Sequence, residues 1–184
     1  GTIDEFIGDS VLGFFGAPVT RADDARRAVA CALAMQKGME RVNRRNFDEG
    51  LPAVEMGIAV HTGDVVVGNI GSEKRAKYGA VGGHVNLTAR IESYTCGGQV
   101  LISERTLAEA GEGVVTGGSL SVRAKGFPEP VRVHDLLGLE EAPCLHLERR
   151  PGGVWPGEPP LRAGCPPCLL PHPQPPRTDP TIHT

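Results

Sequence analysis

The sequence predicts an α+β fold with ferredoxin-like layering, in which helices pack on one mixed, mainly antiparallel sheet. Two observations carry that expectation. Short segments of alternating apolar residues read as strands, and three other segments read as helices. The two kinds interleave along residues 1–138, with no internal repeat, as layered α+β domains require.

Residues 2–7 and 10–15 are apolar runs on either side of Gly8-Asp9, the pattern of a β-hairpin with a tight turn. Gly16-Ala17-Pro18 ends the second run, and Asp23 or Asp24 can cap the helix that follows. Ala28, Ala32, Met35, Met39 and Val42 recur at helical spacing as one apolar stripe, which frays before Asp48-Glu49-Gly50. Val54, Met56, Ile58 and Val60 alternate as a strand. Val65–Val67 and Ile70 read as another strand, after His61-Thr62-Gly63-Asp64. A helix carrying Asn86 and Arg90 comes next, then a short strand over Val100-Leu101-Ile102. Ser103 caps a helix running to Ala110, and Leu120–Arg123 and Val131–Leu137 close the sheet.

Composition breaks near residue 139. Of the sixteen prolines, twelve fall in the last 46 residues, so 139–184 reads as a Pro-rich, disordered tail. The whole chain of 184 residues is 40% hydrophobic with a formal net charge of −3, a balance that argues against nonspecific nucleic-acid binding. No apolar run approaches the ~20 residues of a membrane span, and no signal peptide is visible. The start at Gly1 rather than Met reads as a piece of something longer. Five cysteines at irregular spacing make a disulfide framework unexpected, and a reducing cytoplasm is the default location. A buried thiol is the ordinary expectation for the cysteines in helical segments.

Few residues stand out chemically. Asn86 and Arg90 lie four apart on one helix face, just after Gly82-Gly83. An amide beside a permanently charged planar fork suits a site for a sugar and a phosphate. Otherwise Arg90 is a solvated charge paired with Glu92 or Glu104, and Asn86 an exposed polar position. The glycines are either a plain loop or a close backbone approach to a ligand at a helix N-terminus. Asp9, at the hairpin tip, is ordinary turn chemistry or a carboxylate ligand for magnesium. Cys165 and Cys168, with Cys144, His146 and His172 nearby, have spacing too irregular for a convincing zinc site.

Together, GTIDEFIGDSVLGFFGAP, GIAVHTGDVVVGNIGSEKRAKYGAVGGHVNLTARIES and AKGFPEPVRVHDLLG resemble the catalytic domain of class III adenylate and guanylate cyclases, with the motifs in the family's order across most of residues 1–138. The resemblance implies the nucleotide cyclase fold. It also implies conversion of ATP or GTP to the 3′,5′-cyclic nucleotide and pyrophosphate, by attack of the ribose 3′-hydroxyl on the α-phosphate, in intracellular signalling. Two Mg²⁺ or Mn²⁺ ions per site would assist. Asp9 matches a metal-binding aspartate, Asn86 the ribose-orienting residue, and Arg90 the arginine that stabilises charge on the α-phosphate. Arg123 or Lys125 matches less closely a contact to the triphosphate. A homodimer is implied, one domain giving the metal ligands and the other the asparagine and arginine.

Two positions bear on the base. Glu5 stands where guanylate cyclases carry glutamate and adenylate cyclases usually lysine, and Gly79 matches the second base-reading position. Glutamate can accept from the guanine N1–H and 2-amino group, which tilts the expectation toward GTP. One departure is larger. The family's first metal aspartate belongs to an upstream segment resembling F-x-D-I-x-G-F, which this sequence lacks, and neither Asp4 nor Glu5 is placed to replace it. The expectation is a cyclase domain without its first strand and helix, inactive as it stands. The alternatives are a non-catalytic cyclase-like dimerisation module, or a damaged gene product with a frame-shifted tail.

Overall fold

The computed structural model describes residues 1–72 and 74–147. Among them the chain forms β1 (Thr2–Ile7), β2 (Ser10–Phe14), α1 (Asp24–Asp48), β3 (Ile58–Val60), β4 (Val66–Ser72), β5 (Arg75–Val81), α2 (Gly83–Glu92), β6 (Val100–Ser103), α3 (Glu104–Ala110), β7 (Val114–Val122) and β8 (Val131–Leu139). A 3-10 turn over Pro143–Leu145 follows. The central sheet has the order β3-β6-β8-β7, parallel between β3 and β6 and antiparallel elsewhere. A parallel pair needs a long crossover, and the segment carrying β4, β5 and α2 supplies it.

Side chains alternate across this sheet and feed two cores. Val100 and Ile102 of β6 meet Val29, Ala32 and Leu33 of α1, with Ala110, Leu136 and Leu139. Leu101, between them, points the other way and joins Leu87 and Ile91 of α2, with Val122 and Val133. The helices therefore divide between the two faces. Arg26 ties α1 to the end of α3, donating to the carbonyls of Ala110 at 2.7 Å and Glu112 at 2.8 Å, and it pairs with Glu141.

The α+β class and the mixed, mainly antiparallel sheet are as expected, but β1-β2 and β4-β5 each stand as a two-stranded sheet. The strand expected from Val54 shrinks to three residues because α1 takes its backbone partners. The Val54 amide donates to Asn43 Oδ1 at 2.7 Å, and Gln36 Nε2 donates to the Met56 carbonyl at 2.6 Å. β5 was not legible, since its Arg-Ala-Lys-Tyr-Gly run lacks apolar alternation; seven register pairs with β4 hold it. β7 begins at Val114, six residues earlier than expected, with irregular register around Gly117-Gly118 masking the alternation.

The α1 stripe is rotated from the expected one. Its buried residues are Val29, Ala32, Leu33 and Gln36, whereas Met35 and Val42 are exposed. Both faces are rich in small apolar residues, and the sheet selects the face with the larger branched ones. Asp23 holds the N-cap position without a side-chain bond; Asp24 instead accepts from the Arg21 amide at 2.7 Å and pairs with Arg27. Ser103 caps α3 as expected, accepting from the Thr106 amide. Cys31 on α1 is exposed rather than buried.

The fold also runs past residue 138. Leu139 is buried, Leu145 and Leu147 pack on the α1-side core, and the Leu147 amide donates to the Leu137 carbonyl at 2.7 Å. The remaining tail, with Cys165, Cys168 and His172, lies outside the described residues.

The start of α2 is clamped by histidines. His84 Nδ1 is 2.8 Å from His61 Nε2, and His61 Nδ1 is 2.8 Å from Ser103 Oγ. The two imidazoles stack, and Phe127 meets His84 edge-on. A Cβ on Gly63 would fall 2.3 Å from the His84 ring, so a side chain there would displace it. Burial, then His84 and Arg105, push His61 down to about 4.

Two outcomes test this packing. Urea unfolding of Leu33→Ala should show a loss of about 2–5 kcal/mol, whereas Met35→Ala should cost under about 1 kcal/mol. His61 is neutral in the fold, and its unfolded form gains a proton below the ordinary value of 6.5. Its contribution is therefore fully present above that value and falls as pH drops toward about 4. The unfolding midpoint should decline across this window, and His61→Gln should flatten the decline.

Candidate active site

Helix α2 presents the first pair of candidate residues. Gly82 at its N-cap has φ +155° and ψ 170°, a region essentially reserved for glycine, so the backbone itself demands this residue. A Cβ on Gly83 would meet Phe127 only at ordinary contact distance, so the second glycine is not required in the same way. Leu87 and Ile91 anchor the inner face of the helix in the core. Asn86 and Arg90 are exposed. The Arg90 guanidinium lies 5.3 Å from the centre of the Tyr94 ring, one turn on, with Nη2 at 3.4 Å from the Tyr94 hydroxyl. A cation lying on an aromatic face keeps its N–H groups available for an anion. No ion pair joins Arg90 to Glu92 or Glu104 among the described residues; Glu104 pairs with His134 at 2.8 Å.

The hairpin β1-β2 presents the second group. Its turn has Gly8 at φ +64° in the first central position, as a two-residue II′ turn needs, and Asp9 follows at the exposed tip. Asp9 makes no hydrogen bond or ion pair with Glu5, Gly79, Asn86 or Arg90 among the described residues.

Glu5 and Gly79 are linked through Asp4, considered above only as a metal ligand, and Lys77, to which the sequence assigns no role. Lys77 Nζ lies 2.9 Å from Glu5 Oε2 and 3.3 Å from Asp4 Oδ1. The ammonium is held above the ordinary lysine value, first by its hydrogen bond to Glu5 and further by Asp4. Asp4 Oδ2 accepts from the Ala80 amide at 3.1 Å, which docks the hairpin against β5. The Asp4 side chain is 3% exposed, against 49% for Glu5. An aspartate inside an apolar run was the available signal, because a carboxylate there needs a partner when buried. Arg123 and Lys125 lie exposed after β7.

Among the described residues no three His, Cys, Asp or Glu side chains gather as a metal cage. Asp9, exposed at the hairpin tip, offers one hard oxygen donor. A hard divalent cation that brings other oxygen ligands with it needs only one or two carboxylates from the protein, so a single such donor is compatible with that use. No described helix is long and apolar enough to cross a membrane.

Known proteins are similar to this chain in sequence and fold. "Adenylate cyclase 1" of Rhizobium meliloti (strain 1021) is 33% identical over 144 residues, which are 77% of this chain and 22% of that protein. The chain spans about a quarter of the length of the curated relatives it matches. Among solved structures, the guanylyl cyclase Cya2 is 54% identical with a TM-score of 0.77, over 80% of this chain and 75% of that one. The adenylyl cyclase CyaB from P. aeruginosa is 35% identical with a TM-score of 0.68, over 74% and 71%. Residues 4–132 match the family described as the adenylate and guanylate cyclase catalytic domain, and the chain belongs to that family.

Proposed function

We propose that the protein carrying this chain cyclises a purine nucleoside triphosphate, GTP in preference to ATP, releasing pyrophosphate. The observation that carries this reading is the exposed Asn86–Arg90 pair on one face of α2, in a chain of the cyclase family. In the reaction the ribose 3′-oxygen bonds to the α-phosphorus, the bond to the β-phosphate bridging oxygen breaks, and the 3′-hydroxyl proton leaves. Asn86 holds the ribose so that its 3′-oxygen faces the phosphorus. Arg90 lays its fork on the α-phosphate as charge builds, the kind of preorganised electrostatic aid that supplies much of enzymatic rate enhancement. Glu5 accepts from the guanine N1–H and 2-amino group, beside the bare backbone of Gly79. Asp9 would hold a divalent ion, Mg²⁺ or Mn²⁺, accompanying the phosphates, and that ion when bound would supply Lewis-acid polarisation of phosphate oxygens.

Asp9 sits on the β1-β2 hairpin, and Asn86 with Arg90 on α2. Each active site is read as shared between two copies, with Asp9 from one and the α2 pair from the other.

Three measurements on the full-length protein that carries this chain test the reading. Cyclic GMP and cyclic AMP formation from GTP and ATP with Mn²⁺ should fall about 100- to 1000-fold in Arg90→Ala. Mixing Asp9→Asn and Arg90→Ala proteins should restore turnover, since a mixed dimer contains one intact site; no recovery would exclude a shared site. Glu5→Lys should shift the ratio of turnover toward ATP, because lysine cannot accept from the guanine edge.

A further inference from the structure

Strand β1 carries a bulge at Asp4. Ile3 pairs with Gly13 and Glu5 with Leu12, leaving Asp4 as the extra residue between two consecutive register pairs. In a regular strand neighbouring side chains point to opposite faces. Here both Asp4 and Glu5 reach the same ammonium, Lys77 Nζ, at 3.3 Å and 2.9 Å. A bulge is the local device that re-aims a side chain in this way.

The Asp4 carboxylate is turned into a particular space. A Cβ on Gly79 would lie 2.5 Å from Asp4 Oδ1, too close for both to be present. Asp4 thus occupies the volume that any side chain at position 79 would need. Its Oδ2 binds the next amide, Ala80, at 3.1 Å. Its Oδ1 is buried and accepts no well-aligned hydrogen bond, although the Lys77 ammonium is near. The three side chains carry two carboxylates and one cation. Lys77 divided between Asp4 and Glu5 leaves Glu5, the half-exposed member, with net acceptor capacity.

We propose that Asp4 is a positioning residue for purine selectivity: from behind the site it fixes the Gly79-Ala80 backbone and shares Lys77, so that Glu5 stays oriented and negatively charged toward a guanine edge. This rests on the reading of Glu5 and Gly79 as base contacts. Asp4 itself does not touch the base, because its side chain is almost wholly buried. Asp4 and Gly79 form a coupled pair, in which a side chain at 79 expels the carboxylate and loss of the carboxylate makes room for a side chain.

The test uses Asp4→Asn, Gly79→Ala, Asp4→Ala and the Asp4→Ala/Gly79→Ala double variant, with GTP and ATP as probes. Equilibrium binding, kcat and KM for each nucleotide, and the thermal midpoint are measured. Asp4→Asn keeps the shape and an acceptor for the Ala80 amide but removes the charge. It should reduce the GTP-over-ATP preference about tenfold, through KM rather than kcat, with any fall in the midpoint common to both nucleotides. Gly79→Ala should reduce the same preference when Asp4 is present and change it little in the Asp4→Ala background. An unmoved preference in Asp4→Asn, or an equal effect of Gly79→Ala in both backgrounds, overturns the inference while leaving the cyclase reading in place. All variants are made in the full-length protein that carries this chain; if that protein, unaltered, binds and converts neither nucleotide, the functional reading falls and this inference falls with it.

Discussion

The fold is organised around β6, a strand of four residues in which every side chain is buried. Val100 and Ile102 face α1 and α3, and Leu101 faces α2, so one short segment anchors both cores. Its last residue serves three further partners. Ser103 Oγ caps α3 through the Thr106 amide, bonds the Thr106 hydroxyl at 2.9 Å, and meets the His61 ring. Through His61 and His84 this chain of contacts reaches the first turn of α2, the helix that presents Asn86 and Arg90. The orientation of the exposed pair is thereby set by residues packed beneath it. A core change at β6 would be felt at the site, because a close-packed interior transmits small displacements rather than absorbing them.

The hairpin is held differently. Ile3, Phe6, Ile7 and Val11 are all largely exposed, so little apolar burial fastens β1-β2 to the rest. Its attachment to β5 is polar, made by Asp4 on the Ala80 amide and on Lys77. A buried carboxylate is costly unless it is paired and hydrogen-bonded. The bulge, the glycine at 79 and the lysine two residues before it together meet that requirement. The same three features surround Glu5. Docking of the hairpin and orientation of the Glu5 carboxylate are thus one electrostatic arrangement.

Much of the fold was legible because it rests on local chemistry. The Gly8-Asp9 turn, the Ser103 cap and the Val100-Leu101-Ile102 run each follow from residues that favour one backbone state, and each appears as expected. The candidate pair on α2 was legible for the same reason, since helical spacing alone places Asn86 and Arg90 on one face. Misjudged elements depended on distant partners. Val54 and Met56 alternate like a strand, but the amides of Asn43 and Gln36 take their backbone groups. Gln36 itself sits on the buried face of α1 because the Met56 and Gln99 carbonyls satisfy it, which no helical periodicity of apolar residues could reveal. β5 forms from a polar segment because β4 offers it seven register pairs.

By itself, the sequence determined the α+β class, the order of most elements, the family resemblance and the five residues offered as its site. These are properties of local spacing and of motifs read in order, and they need no long-range geometry. Only the tertiary structure decided which face of α1 is inside and that the helices lie on both sides of the sheet. It alone placed Asp4 in the space left by Gly79, a contact between residues 75 positions apart. A bulge shifts a strand by one residue, and one residue decides which face a side chain meets. That shift is fixed by the partner strand and the buried charge, so it belongs to the folded chain rather than to any stretch of its sequence.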